Sequence, residues 1–186
     1  MILLLVCAKV DSVRLMPQMS NLLALDQASV TSGYAVFKDG VLVAYDKFTF
    51  EDEIGERLVK IRKKIISLIE TYDINEVAFE DIQMQGNVTN NVQTFKVLSE
   101  VFGVVQELIT ELGIKYTTVP SVTWKSTLGI KGRTRPEQKR NAQAYVLDKY
   151  GVKAVQDVCD AICIGTHILE HHKGNIASND GFDWSD

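Results

Sequence analysis

The chain has 186 residues, 46% of them hydrophobic and 24% charged, with a net charge of −4. That length suits one ordinary domain with a sizeable core, and the composition is that of a globular protein. No apolar run approaches the roughly 20 residues that span a bilayer, and the acidic balance excludes bulk attraction to nucleic acid, so any such binding has to come from a local basic patch.

Residues 1–18, "MILLLVCAKVDSVRLMPQ", differ in character from the rest of the chain. They lack the basic start and small-residue cleavage site of a signal peptide, and Met19 stands just before the first strand-like run. We read 1–18 as a leader or tag-like segment outside the fold and 19–173 as one domain. Residues 174–186, with their Gly, Ser, Asn and Asp, read as an acidic flexible tail.

Three strand-like stretches open the domain at 22–27, 33–38 and 41–50, the last two joined by an Asp39-Gly40 hairpin turn. Ile54, Leu58, Ile61, Ile65, Leu68 and Ile69 then recur with helical period. Residues 76–80 read as a short buried strand, 90–112 as a long helix capped by Gly113, and 114–119 as a fifth strand closed by Pro120. Residues 121–135 read as loop, followed by helices over 136–150 and 157–171. This order predicts an α/β sheet covered by helices on both faces.

Cys159 and Cys163, one helical turn apart on an apolar face, read as small core residues. With Cys7 they form neither a zinc pattern nor a disulfide framework, which fits a reducing cytoplasm. His167, His171 and His172 read as surface histidines near the C-terminal end, with a metal-binding i, i+4 pair of His167 and His171 as the alternative; His167 follows Asp160 by two turns, within sight of the same region.

One carboxylate interrupts the first apolar run. Asp26 follows Leu22, Leu23, Ala24 and Leu25, and burying a lone carboxylate costs several kcal/mol unless a cation or donors meet it. Glu80 closes the fourth strand in a parallel setting. Asp157 and Asp160 begin the last helix, three residues and so about 60° apart on one face. Four acids from three separated elements can converge at one edge of a sheet, and such an all-oxygen set suits Mg²⁺ or Mn²⁺. Two such ions about 4 Å apart cleave phosphodiesters, one activating water and the other steadying the leaving oxygen. Taken singly, each acid has a plainer role open to it: Asp26 as a turn or cap residue, Asp157 as an N-cap, and Glu80 facing solvent with Asp81 buried instead. Asp160, on an apolar face, resists explanation as a solvated charge.

"LALDQASVTSGYAVF", "VAFEDIQM" and "DVCDAICIGTH" resemble, in order and spacing, the three acidic motifs of RuvC-like Holliday junction resolvases in the ribonuclease H-like superfamily. Asp26, Ser32, Gly33 and Tyr34 match the first motif, Glu80 the second, and Asp157, Asp160 and Ala161 the third, over roughly residues 20–172. Ala35 replaces a family glycine, Gln27-Ala28 replaces the family's Pro-Gly turn, and the family's aromatic wedge after the Glu would fall near Gln83. The resemblance implies a divergent member of the phage type. It also implies a ribonuclease H-like, five-stranded mixed sheet, three strands antiparallel and then two parallel, with helices on both faces.

By the same resemblance, metal ions meet Asp26. The four acids would hold two Mg²⁺ (or Mn²⁺) per active site, for nicking of branched DNA such as four-way junctions or forks. A homodimer is implied as well, because paired nicks need two sites related by a two-fold axis. The helix over 90–112, through Val97, Val101, Val104, Val105 and Leu108, is a candidate for part of that interface, with ordinary core packing as the equal alternative. The implied setting is the cytoplasm of a bacterium or phage-infected host, with no membrane partner.

"TWKSTLGIKGRTRPEQKR" concentrates Lys125, Lys131, Arg133, Arg135, Lys139 and Arg140 against Glu137. In an acidic chain this is the best candidate for a phosphate track. Lys125 matches the first of the family's functional lysines and would help neutralise the reacting phosphate; the second falls at Lys139 or a neighbour. The run Lys60–Lys64 reads as the solvated face of its helix. Two other readings compete: a junction-binding protein that keeps the fold without catalysis, and an actin- or hexokinase-type ATPase, which the chain length disfavours.

Overall fold

The computed structural model describes residues 20–83 and 88–179, so the segment 1–18 lies outside the described residues, as do 180–186 of the expected tail. Strands β1 (Asn21–Asp26), β2 (Thr31–Lys38) and β3 (Val41–Thr49) pair antiparallel. Strands β4 (Glu76–Glu80) and β5 (Lys115–Val119) continue the sheet in parallel from the other side of β1, giving the order β3-β2-β1-β4-β5. This is the expected five-stranded mixed sheet. Five helices accompany it among the described residues: α1 (Ile54–Tyr72), α2 (Val88–Glu111), α3 (Ser121–Thr127), α4 (Arg135–Tyr150) and α5 (Gln156–Asn179).

β1 is continuously apolar because it lies inside the sheet with both faces covered. Leu22 and Ala24 face one core with Phe37, Ala78, Trp124 and Ile162; Leu23 and Leu25 face the other with Ile61, Ile65, Val101 and Leu108. α3, α4 and α5 close the first core, α1 and α2 the second. The β2–β3 turn takes Asp39 and Gly40 through φ of 52° and 79°, the left-handed values that an Asp-Gly hairpin supplies.

α5 lies directly against the sheet. A Cβ on Gly165 would collide with the Phe37 ring and stand 3.0 Å from the Ala24 methyl, so glycine there permits the close crossing. Cys159 and Cys163 are fully buried in this layer, as expected.

The structure differs from the sequence expectations at several places. Residues 121–127, expected as loop, form the two-turn helix α3, entered from Pro120 and anchored by the fully buried Trp124. A helix this short carries too few repeats for its period to register. α5 runs on through Gly174 to Asn179, beyond the expected end at 171.

His167 is buried rather than at the surface, its ring edge-on to His171 at 4.4 Å. Of the α2 residues considered for a dimer interface, Val101, Val105 and Leu108 are spent on the chain's own core, leaving Val97 and Val104 half-buried. The basic run on α1 is partly paired rather than simply solvated: Lys60 bonds Asp52 at 2.6 Å, and Arg62 bonds Glu111. No helix among the described residues is long and apolar enough to cross a membrane.

Candidate active site

β1 and β4 run side by side as far as the Leu25–Phe79 pair, so Asp26 and Glu80 emerge together at adjacent strand ends. The carboxyl end of a parallel pair is where α/β sheets open a crevice. Beyond that pair the Gln27 side chain replaces the ladder: its Nε2 donates to the Glu80 carbonyl at 2.5 Å, and its Oε1 accepts from the Glu80 N–H at 3.1 Å. The opening of α5 supplies Asp157 and Asp160, and Gln156 Nε2 donates to Asp160 Oδ1 at 2.7 Å. All four acids line a single cleft of about 880 Å³, roomy enough for a nucleotide-sized group. Asp81 lines it too. Because β4 ends at Glu80, pleat alternation no longer sends these neighbours to opposite sides.

Lys125 of α3 lines the same cleft, with Lys131, Arg135 and Lys139. Arg133 and Arg140, from the same basic segment, are exposed and do not line it. The loop carrying Lys131 and Arg133 is tied to α4. Asn141 Nδ2 donates to the Lys131 carbonyl at 2.6 Å, Gln138 Nε2 to the Gly132 carbonyl at 3.1 Å, and the Arg133 N–H to Glu137 Oε2 at 2.8 Å. Thr134 caps the helix by accepting the Glu137 N–H, with Pro136 in the first turn.

The acids are electrostatically unhappy together. Burial pushes Asp26 well above the usual carboxylate range, and the charges of Glu80, Asp160 and Asp157 push it further, against Lys125. Glu80 is pushed up to about 7 by burial, with Asp160 adding to the shift and Lys125, the Trp124 indole and Arg135 opposing it. Asp160 is raised by burial and by Asp157, and eased by Gln156, Lys125 and Lys139. Lys125 is the cation felt at all three. Its Nζ lies 4.9 Å from the centre of the Trp124 ring.

Among the described residues, no three Asp, Glu, His or Cys side chains are gathered closely enough to form a coordination sphere. The donor chemistry nevertheless fits a hard divalent cation. The cleft residues are rich in carboxylates and include neither thiol nor imidazole. Burial first, and the neighbouring acids second, raise the pKa values of Asp26 and Glu80, as expected of carboxylates held together without a counter-ion.

No family model and no curated protein matches the sequence. Solved structures do. RuvC of T. thermophilus in complex with Holliday junction substrate superposes with a TM-score of 0.64, covering 83% of this chain and 96% of that one at 13% identity. The Fowlpox virus resolvase with its substrate Holliday junction DNA gives 0.54 over 82% and 98%, also at 13% identity. The yeast mitochondrial Holliday junction resolvase gives 0.52 over 86% and 84% at 11% identity.

The chain has the ribonuclease H-like fold of RuvC. At these identities the likeness is one of architecture, and it places the RuvC-like sheet order over nearly the whole described chain.

Sequence reasoning missed three residues that line this cleft, Gln27, Gln156 and the half-buried Phe95, which lies there with the apolar Leu98 and Ile82, and it missed the buried Trp124, which acts on Glu80 without lining the cleft. The two glutamines adjoin acids already singled out, and that adjacency was their available signal. Phe95 carried none, because a lone aromatic in a helix reads as core, and Trp124 stood in a stretch that read as loop. Gln83, where the family's wedge would fall, is exposed at the cleft.

Proposed function

We propose that this protein is a metal-dependent endonuclease that nicks branched DNA, with four-way junctions as the leading substrate and forks as a second. The observation that carries the reading is the joining of four acids from β1, β4 and α5 with four cations from α3, α4 and their loop in one cleft. RuvC and the Fowlpox virus resolvase, which share the fold, were solved with Holliday junction DNA.

Asp26, Glu80, Asp157 and Asp160 would hold two Mg²⁺ or Mn²⁺ ions. The chemistry such ions supply is activation of water and relief of charge at the leaving oxygen. Lys125, already within electrostatic reach of three of the acids, offsets the charge that builds on the phosphoryl oxygens. Lys131, Arg135 and Lys139 track neighbouring phosphates, and the exposed Arg133 and Arg140 serve strands outside the cleft. In-line attack of water on phosphorus with departure of the 3′ oxygen leaves a 5′-phosphate end. Paired nicks across a junction call for a homodimer, and the cytoplasm of a bacterium or phage-infected host is the fitting place.

The lack of a ready-made coordination sphere among the described residues favours one second reading, a junction-binding protein that keeps the fold but does not cut. A panel of end-labelled four-way, forked and linear DNAs separates the two. Mg²⁺-dependent nicks in the branched substrates, lost in Glu80→Gln, support the nuclease; tight junction binding with no nicks in Mg²⁺ or Mn²⁺ supports the binder.

A further inference from the structure

Glu80 is approached from two sides by groups that carry no charge. The β1–β4 ladder stops one residue short of it, and the buried Gln27 amide completes the pairing with one donated and one accepted bond to the Glu80 peptide. On the far side β5 holds the same segment through the Glu80–Val119 pair and the Asp81 N–H donating to the Val119 carbonyl at 3.0 Å. The backbone of Glu80 is thereby fixed on both edges. Without Gln27, the β1 edge would have no substitute among the hydrogen bonds of the described residues.

The second group is Trp124 of α3, beside Lys125. Trp124 is wholly buried, and its indole N–H has no hydrogen-bond partner. Orphaned buried donors are rare in native proteins and call for an explanation. This one acts on the Glu80 carboxylate, lowering its pKa, while falling short of hydrogen-bond geometry. Lys125 above the ring and the core beneath it keep the indole from turning elsewhere. A carboxylate on a long side chain needs such a donor to choose one orientation. A neutral donor does this without cancelling the negative charge that a cation would require.

We propose that Gln27 and Trp124 are positioning residues for Glu80: Gln27 sets where the strand delivers it, and the Trp124 N–H sets which way its carboxylate faces. The inference rests on the reading of Glu80 as a metal ligand.

The test uses the full chain carrying Trp184→Phe, so that Trp124 gives the one indole N–H resonance. That resonance is expected to move when Mg²⁺ is added, and to move in Glu80→Gln without metal. Isothermal titration should show Mg²⁺ affinity falling about 10- to 100-fold in Gln27→Met and in Trp124→Phe, the usual effect of losing an outer-shell partner. Far-ultraviolet circular dichroism of both variants in EDTA should match wild type, so that what is lost is metal affinity and not the fold. Should Trp124→Phe not fold, Gln27→Met and the indole signal decide. Unchanged Mg²⁺ affinity together with an indole resonance indifferent to Glu80→Gln overturns the proposal while leaving the nuclease reading intact. A wild type that binds no Mg²⁺ sinks the nuclease reading instead, and the response to Glu80→Gln then decides alone whether Trp124 orients Glu80.

Discussion

A methyl group built on Gly33 would overlap the main-chain oxygen of Asp157, so β2 and the start of α5 meet backbone to backbone. No L side chain fits between them. Gly33→Ala should push the first turn of α5 off the sheet and carry Asp157 and Asp160 away from Asp26. Overpacking costs ~1–3 kcal/mol even where side chains can yield, and here the obstacle is backbone. Thermal unfolding monitored by circular dichroism should show a melting point lowered by several degrees, with nicking lost; a melt superimposable on wild type would refute the contact.

Asp26 sits where burial and three neighbouring acids all oppose its charge. Asp26→Asn keeps the shape and removes that charge. In EDTA at pH 8 the variant should therefore melt above wild type, by about 2–4 °C for each kcal/mol of relieved repulsion. It should bind junctions at least as well as wild type and fail to nick them. Calorimetry and a gel assay on the same preparation check both halves.

Glu80 gives the pH dependence its sign. Its folded-state pKa of about 7 lies above the ordinary 4.5, so the folded protein holds this proton more tightly than the unfolded chain. In EDTA this group's contribution to stability is greatest below pH 4.5, declines as pH rises toward 7, and levels off above. A divalent cation competes with that proton. Added Mg²⁺ should accordingly raise the melting point at pH 8 and do little at pH 5; an equal rise at both would place the ion elsewhere.

Lys125 and the outer cations should separate in kinetics. Lys125→Met removes a charge aimed at the reaction centre, and single-turnover nicking should fall about 10²- to 10³-fold, the loss expected of one stabilising donor. Arg135→Ala and Lys131→Ala should act on binding instead. Each should lower the slope of log affinity against log salt by about 0.9, the value of one released counter-ion.

The fold was legible because its central strands are. A continuous apolar β1, an Asp-Gly turn and a first helix of clean period gave an α/β sheet covered on both faces, and the resemblance in the acidic motifs supplied its mixed strand order. That the four acids share one cleft was legible from the set rather than from any member, since three separated elements each carry an acid beside apolar neighbours. α3 was not: seven residues with one anchoring Trp124 hold no period, and their polar and basic neighbours read as loop. Gln27 was seen only as a departure from the family turn, since an amide's two-sided bonding to a distant strand is set by the sheet register and leaves no trace in local sequence. His167 went astray for the opposite reason. Its nearness to the chain end suggested exposure, whereas α5 continues past it.

The ties from Asn141, Gln138 and Glu137 to the loop above α4 have a thermodynamic consequence. Segments that organise only on contact with a nucleic acid surrender chain entropy at that moment, which weakens affinity and adds a coupled-folding signature to the heat capacity of association. Here three side chains have already frozen the arch that displays Lys131 and Arg133. Docking should proceed as the meeting of two preshaped bodies, driven by the escape of small ions from the polymer, and its heat capacity change should be small.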